Sequence, residues 1–288
     1  MISSKLAAAL ASTFISCASF ALDASDYKHE AVGDDVIKAQ NAALLSATEG
    51  KGFGPQSPRD INAKAGTNTR IFGIAPSSTA MNLCNIHFHV NAEHKGGQFT
   101  AYAGNGDGHG NRSGYAYSGK LSSAEKQPLP EDVCSSPHGG LNAGDTIEVH
   151  YVYSSAQVTP GATLGACLNE SITNPQLRVE SQVMVLVNDA KAADFGKLTQ
   201  IDVRNGYQQA INLPNNSGKP VQYAGSTTGP SYNEKGSPFQ VSWSVRPKVL
   251  KVNAQSVGEW CKGNVFKEDH AHGVRNLVTD PALLSKIK

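Results

Sequence analysis

The chain carries almost no net charge and has no long apolar run beyond its N-terminus. Its 25 Lys and Arg and 24 Asp and Glu leave a formal charge of +1 over 288 residues. This balance creates no basic surface field for nucleic acid and no acidic tail. After residue 21, no apolar run approaches the roughly 18 residues of a membrane span. We therefore expect neither a nucleic-acid partner nor membrane insertion.

The N-terminus instead has the features of a secretory signal. A lone Lys5 precedes the apolar stretch Leu6–Ile15 and the small-residue pattern Ser19-Phe20-Ala21, which predicts cleavage near Ala21. We predict a signal peptide over 1–21, export to the periplasm or the medium, and one mature domain over 22–288. That domain divides into a helical extension (22–50), a β region that carries the site (51–252) and a C-terminal tail (253–288).

The cysteines show no C-x-x-C spacing, which argues against a structural zinc site of that type. The four that follow the predicted signal are Cys84, Cys134, Cys167 and Cys261. An even number in an exported chain favours one or two disulfides, with the pairing left open. Cys84 precedes His87 by an odd number of residues, so on a regular strand the two side chains face opposite ways.

Alternating apolar residues and frequent turn signals predict a mainly β, α+β fold in a single domain. We expect a large, mostly antiparallel sheet with a short N-terminal helix and long loops, above all between Ala103 and Gly144. The expected helices are Asp34–Thr48 and a short terminal one, Pro281–Ile287. The expected strands are 70–90, 145–153, 177–187, 199–203 and 239–252.

Two histidine groups lie within these predicted strands. His87 and His89 flank Phe88, and His150 follows Glu148 by two residues. Alternate side chains share one face of a strand, so each pair points the same way. An H-x-H pair can equally be a surface pair or two core histidines bonded to carbonyls. A buried carboxylate and imidazole on one strand face need partners, however, and a metal for His150 with a ligand histidine for Glu148 would supply them.

Together with four further motifs, these groups resemble the α-class carbonic anhydrases in their order along the chain. The motifs are Gln56-Ser57-Pro58, Glu93-His94, the run Tyr223–Pro230, and Val241-Ser242-Trp243. The insertion between Gln98 and Ile147, the leucine missing at Ser226-Thr227 and the opening Gly52–Ile61 are instead similar to the δ-class. The resemblance implies the carbonic anhydrase sheet and reversible hydration of CO2 to bicarbonate and a proton through a zinc-bound hydroxide.

The resemblance also implies roles for individual residues. His87, His89 and His150 would bind Zn²⁺, for which Co²⁺ or Cd²⁺ could substitute, and Glu148 would support a ligand histidine. Thr227 would be the gatekeeper that aligns the hydroxide and donates to Glu93, although the missing leucine leaves Thr228 as an alternative. The apolar wall for CO2 would comprise Val152, Val241 and Trp243.

The proton route is less clear, because residues 59–86 contain no histidine where the α-class shuttle lies. His109 and His138, in the long polar loops, are the candidate shuttles. His29, His270 and His272 lie outside the motifs, and we expect them at the surface.

Two other interpretations remain open. The order His87, His89, Glu93 and His150 also suits a cupin-like metalloenzyme with iron or manganese, in which Glu93 would be a ligand. A non-catalytic exported zinc-binding relative of the carbonic anhydrases would retain the ligands without turnover. The oligomeric state stays undetermined.

Overall fold

The computed structural model describes residues 31–288, so the predicted signal peptide and His29 lie outside the described residues. The helices are α1 Asp34–Thr48, α2 Phe195–Leu198 and α3 Ala254–Cys261. The strands are β1 Asn82–Val90, β2 Ala101–Tyr102, β3 Tyr115–Ala116, β4 Thr146–Ser154, β5 Leu177–Val187, β6 Ile201–Arg204, β7 Tyr207–Ala210, β8 Val221–Ser226 and β9 Gln240–Asn253. The predicted helix Asp34–Thr48 is confirmed at both ends.

A five-stranded sheet in the order β1-β4-β5-β9-β8 forms the centre of the fold. The β1–β4, β4–β5 and β8–β9 pairs are antiparallel, whereas β5 and β9 run parallel. This mixed but mainly antiparallel sheet confirms the predicted fold class. Every residue of β4 is buried, as expected for an interior strand covered on both faces.

The two faces of the sheet pack into separate apolar clusters. Phe88, Val149 and Tyr151 belong to one cluster, together with aromatic residues from α2 and α3. Val152, Val241 and Trp243 belong to the other. Because strand side chains alternate, β1 and β4 contribute Phe88 and Val149 to the first cluster while their histidines point to the opposite face.

A bulge in β1 reverses the expected orientation of Cys84. The register with β4 shifts between Leu83 and Asn85, and an extra residue at such a point inverts the alternation before it. Leu83 therefore joins the same cluster as Phe88, while Cys84 joins the opposite cluster. The prediction that Cys84 faces away from the histidine face was wrong, although its sulfur is engaged in a disulfide.

The even cysteine count is explained by two disulfides, Cys84–Cys167 and Cys134–Cys261. The first joins β1 to the loop before β5, and the second joins the end of α3 to the long loop before β4. Disulfides of this kind are typical of proteins that fold in an oxidising compartment.

Two predicted elements are shorter than expected. Residues 70–81 are not strand, because their backbone groups bond to side chains instead of a ladder: Ala75 N–H donates to Ser242 Oγ, and Arg178 donates to the Ala75 carbonyl. The predicted helix Pro281–Ile287 is a 3-10 turn limited to Pro281–Leu283. Beyond that turn the chain is extended, and Ile287 N–H donates to Lys64.

None of the helices within residues 31–288 combines the length and apolar character needed to cross a membrane.

Candidate metal centre

Three histidines from two adjacent strands converge on one face of the sheet. In the β1–β4 register, His87 lies opposite His150, and His89 lies opposite Glu148. The ring centroids are 5.2 Å apart for His87–His89, 5.2 Å for His87–His150 and 4.7 Å for His89–His150. One ligand atom from each ring lies within 4.8 Å of the other two. The structure therefore brings together the three histidines that the sequence pattern singles out.

Each of these rings uses one nitrogen in a hydrogen bond directed away from the cluster. His87 Nδ1 is 2.6 Å from Asn85 Oδ1, and His89 Nδ1 is 2.9 Å from the Gly273 carbonyl oxygen. His150 Nε2 is 3.0 Å from Glu148 Oε1. Such bonds fix the tautomer and orientation of a histidine, and metal-binding histidines almost always make them.

The remaining ring nitrogens suit a metal ion. His89 Nε2 is buried and has no hydrogen-bond partner among the described residues, which is costly for a polar atom unless a ligand satisfies it. Three neutral imidazoles are also the donor set of catalytic zinc sites. The residues therefore fit a zinc ion on an observation independent of any family assignment.

A second group of possible donors, His94, Glu148 and His150, lies beside the first. Its atoms are already satisfied by one another: His94 Nδ1 is 2.7 Å from Glu148 Oε1, and His94 Nε2 is 2.7 Å from Tyr223 Oη. A metal ion there would have to displace these bonds. The geometry therefore favours the three-histidine group as the metal centre and the second group as its support.

Burial and mutual proximity keep the three imidazoles neutral. Burial, followed by the neighbouring His150, His89 and His272, holds the pKa of His87 well below its usual range. Burial lowers the pKa of His89 to about 4 and also lowers the pKa of His150. Neutral imidazole is the form that binds a metal, so these shifts keep the donors available near neutral pH.

Glu148 is the ionised centre of the supporting network. Burial alone would raise the pKa of Glu148. The charge interaction with the adjacent His94, together with the hydrogen bonds from His150 and His94, instead brings this pKa well below its usual range. The Ser181 hydroxyl donates to the same carboxylate. An acceptor-only carboxylate in this position can orient the His150 ring through their hydrogen bond.

Glu93 lies below the cluster and is buried. Its Oε1 is 3.7 Å from His89 Nδ1, and its Oε2 is 3.9 Å from His150 Nε2. Burial raises the pKa of this carboxyl, whereas His150 and the Thr228 hydroxyl lower it. Oε2 has no hydrogen-bond partner within residues 31–288, so it retains an acceptor site.

The two threonines of the Tyr223–Pro230 run have different surroundings. Thr228 is the one whose hydroxyl acts on Glu93. Thr227 is buried, and its Oγ1 bonds to Ser237 Oγ at 2.5 Å instead of to the carboxyl of Glu93. The structure thus associates Thr228 with Glu93, where the sequence analysis placed Thr227 first.

The three residues predicted to form an apolar wall lie together. Val152, Val241 and Trp243 share one buried cluster, and the Trp243 ring lies 5.0 Å from the His150 ring. Trp243 Nε1 donates to the Ser226 carbonyl, so its polar atom is satisfied and the ring presents only apolar surface to the imidazoles.

Among the histidines outside the motifs, His272 differs from expectation. His109 and His138 are exposed loop residues, as predicted. His272, expected at the surface, is partly buried, with its ring 5.8 Å from His87 and 5.9 Å from His89. Its backbone bonds to Phe88 and Val90 beside β1, and its Nε2 is 2.6 Å from Glu268 Oε2.

The sequence analysis also missed the segment His272–Arg275, called here the strap. The Gly273 carbonyl accepts from His89, and Arg275 N–H donates to Glu93 Oε1 at 3.2 Å. No periodicity marks these four residues, and a partner almost 200 residues away leaves no local signal. The Gln-Ser-Pro motif is the one clue, because Arg275 donates to the Ser57 carbonyl.

Comparison with known proteins settles the family. The family model described as delta carbonic anhydrase matches residues 78–256, which is more than half of the chain. The chain belongs to the delta carbonic anhydrase family. The assignment confirms the resemblance noted from the motifs and argues against a cupin, as does the position of Glu93 outside the converging donors. A comparison with curated proteins finds no match.

Several solved carbonic anhydrase structures are similar at low identity. A hyperthermostable carbonic anhydrase from an active hydrothermal vent chimney is 15% identical, covers 83% of this chain and 90% of its own, and has a TM-score of 0.32. A halotolerant enzyme from Dunaliella salina is 18% identical, with coverages of 84% and 93% and a TM-score of 0.34. The α-carbonic anhydrase from Thermovibrio ammonificans, in complex with sulfanilamide, is 18% identical, with coverages of 82% and 88% and a TM-score of 0.27.

The family match leaves two parts of the metal centre outside its limits. The Gln56-Ser57 pair precedes residue 78, and the strap follows residue 256. Both parts nevertheless contact the candidate metal centre through Arg275 and Glu93. The site therefore depends on more of the chain than the matched region.

Proposed function

We propose that the protein catalyses the reversible hydration of CO2 to bicarbonate and a proton at a zinc ion held by His87, His89 and His150. The observation that carries this proposal is the outward hydrogen bond on each ring, which leaves His87 Nε2, His89 Nε2 and His150 Nδ1 as the donors. Zinc, when bound, supplies a Lewis acid that makes water nucleophilic near neutral pH. Family membership supports the same reaction.

The residues around the metal position the reactants. The Thr228 hydroxyl lowers the pKa of Glu93, and Glu93 Oε2 has no hydrogen-bond partner within residues 31–288. We propose that this hydroxyl donates to Oε2 in the working enzyme, which turns the lone pairs of the hydroxyl oxygen toward the water nucleophile. An acceptor held in a fixed direction holds the nucleophile in a reactive orientation and reduces the reorganisation needed in the transition state. We assign the gatekeeper role to Thr228, because its hydroxyl lowers the pKa of Glu93, whereas the Thr227 hydroxyl bonds to Ser237.

The apolar side chains suit the substrate. CO2 has no net charge and gains little from hydrogen bonds, so a wall of Val152, Val241 and Trp243 beside the His150 ring would hold it without competing polar groups. The product is an anion, and an apolar wall offers it no stabilising partner. Bicarbonate release is therefore favoured over retention.

The proton released by the reaction needs a route to solvent. His109 and His138 stay the proposed shuttles, because both are exposed on loops and imidazole is the side chain that most often carries protons in catalysis. Turnover of the His109→Ala and His138→Ala variants in dilute and in concentrated buffer tests this. A shuttle variant would be slow only in dilute buffer, whereas equal rates in both buffers would remove the role.

The setting we propose is the periplasm or the extracellular medium. Two disulfides support an oxidising compartment, and the sequence at residues 1–21 supports a cleaved signal. N-terminal sequencing of the protein recovered outside the cytoplasm would test both, since the mature chain should begin at Leu22.

Stopped-flow measurement of CO2 hydration tests the function directly. The mature protein should contain one zinc per chain and turn over rapidly, and cobalt or cadmium should occupy the same imidazoles. His270→Ala provides a matched control, because that imidazole is half exposed and bonds to Asp269. Stoichiometric zinc without turnover would favour the non-catalytic zinc-binding alternative, and retention of iron or manganese in place of zinc would contradict the proposed cofactor.

A further inference from the structure

The strap His272–Arg275 contacts two different parts of the metal centre at once. Its Gly273 carbonyl accepts from His89 Nδ1, and its Arg275 N–H donates to Glu93 Oε1. Two backbone hydrogen bonds attach it to β1. The His272 N–H donates to the Phe88 carbonyl, and the His272 carbonyl accepts from the Val90 N–H. A displacement of the strap would therefore move both the ligand ring and the carboxylate.

The side of the strap away from β1 is held by a glycine-dependent contact. Val274 N–H donates to the Gly110 carbonyl at 2.9 Å. Gly110 has φ +94°, and a Cβ there would lie 2.2 Å from the Val274 carbonyl oxygen. Only glycine allows this approach. The loop thus packs on the strap at a fixed distance.

Arg275 itself is a buried cation without an acidic partner at salt-bridge distance among the described residues. Arg275 is 1% exposed, and its guanidinium donates to the Ser57 carbonyl at 2.6 Å and to Gln56 Oε1 at 3.4 Å. Its Nε has no partner in residues 31–288. Burying a charge in this way is costly unless something nearby compensates.

The compensating group is Glu93. Burial lowers the pKa of Arg275 to about 10, and the nearby Glu93 opposes that shift. Glu93 is equally buried, and its Oε2 is unsatisfied. A cation and a carboxylate that are both buried stabilise each other over a longer distance than a salt bridge, because the low dielectric of the interior screens them weakly.

We propose that Arg275 is a positioning residue: its guanidinium, anchored on Ser57 and Gln56, holds the strap so that the Arg275 backbone N–H keeps the Glu93 carboxylate in place. Arg275 acts through Glu93 and does not touch the reactants. The inference deepens the proposed CO2 hydration and rests on it. It also explains why the Gln56-Ser57 pair belongs to the site, since these residues anchor the guanidinium.

The test compares Arg275→Met with Arg178→Met in the full mature chain. Arg178 is a matched control, because it is also buried and donates to backbone carbonyls, those of Ala75 and Pro76, away from the metal centre. We expect Arg275→Met to lower kcat/KM for CO2 by about 10-fold to 100-fold. Zinc affinity should be largely retained. Arg178→Met should affect thermal stability only.

Two further variants separate positioning from a general structural role. Arg275→Lys keeps the charge and should recover part of kcat/KM, and it serves as the test if Arg275→Met does not fold. In a Glu93→Gln background, Arg275→Met should have little additional effect, since residues that act through one group are not additive.

Three results would overturn the inference. The first is equal kcat/KM for Arg275→Met and wild type. The second is full additivity with Glu93→Gln. The third is a wild-type protein that binds zinc but does not hydrate CO2. That result would overturn both the proposed function and this inference. The wild-type measurement distinguishes the last outcome from the first two.

Discussion

The candidate metal centre is built by two regions of the chain, one local in sequence and one assembled from distant segments. The strands β1 and β4 supply the ligands within short stretches, where alternation places His87, His89 and His150 on one face. The strap and the Gln56-Ser57 pair supply the contacts that orient Glu93. Arg275 in the strap lies about 180 residues from Glu93 and about 220 residues from Ser57 along the chain. The ligand set is thus a local property of strands, whereas its alignment is a long-range property of the fold.

The largest effect should follow from removing a strand ligand. His150→Ala eliminates one of three donors and leaves Glu148 without its imidazole partner. We expect zinc binding and CO2 hydration to be lost together. Metal analysis and stopped-flow kinetics on one sample measure both. A variant that kept both would show that the strand region does not hold the metal.

The next effect should come from the residue where the two regions meet. Glu93→Gln keeps the shape of the side chain but removes the negative charge that accepts from the Arg275 N–H. We expect zinc to be retained and kcat/KM to fall by roughly 10²-fold to 10³-fold. Loss of zinc in this variant would instead make Glu93 part of the ligand set.

The two threonines provide a sharper version of this comparison. Thr228→Val should lower kcat/KM by about 10²-fold, because it removes the hydroxyl beside Glu93. Thr227→Val removes a hydroxyl that bonds only to Ser237 among the described residues, so the effect on kcat/KM should be far smaller. The reverse order would return the gatekeeper role to Thr227.

Smaller effects should follow from the outward hydrogen bonds of the ligands. Asn85→Ala removes the acceptor that fixes His87, and Glu148→Gln replaces the carboxylate that fixes His150 with a neutral, weaker amide acceptor. We expect zinc affinity to fall by about 10-fold to 100-fold. Competition with a chelator of known affinity measures it. Unchanged affinity in both variants would mean that the rings are oriented by packing alone.

The smallest effect is a pH dependence of stability in the metal-free protein. The folded pKa of His89 is about 4, below its ordinary value of 6.5, so the unfolded chain binds a proton that the folded chain excludes between these values. The free energy of unfolding should therefore fall as the pH is lowered from 6.5 to 4, by up to about 1.4 kcal/mol per pH unit for each such group. Chemical denaturation over this range measures it, and a slope unchanged in His89→Gln would contradict the assignment.

The same contrast explains how far sequence reasoning reaches. The helix Asp34–Thr48, the strands around both histidine groups and the position of Trp243 beside His150 follow from local periodicity and motif order. One inserted residue in β1 was enough to invert Cys84, because a bulge leaves no signal in the alternation.

The parts that sequence reasoning missed depend on distant partners. Residues 70–81 have strand-like composition, but the side chains of Ser242 and Arg178 bind their backbone groups. His272 and Arg275 lie in a tail with no repeat, and their importance arises from contacts with β1 and with Ser57. Tertiary hydrogen bonds of this kind determine both cases, and no local pattern predicts them.

The most direct test of the central claim is a crystal structure of the zinc-loaded protein with anomalous diffraction at the zinc edge. The account predicts one strong peak bounded by His87 Nε2, His89 Nε2 and His150 Nδ1, with the Glu148 and His94 network intact. A peak among His94, Glu148 and His150, or zinc bound only at other residues, would contradict it.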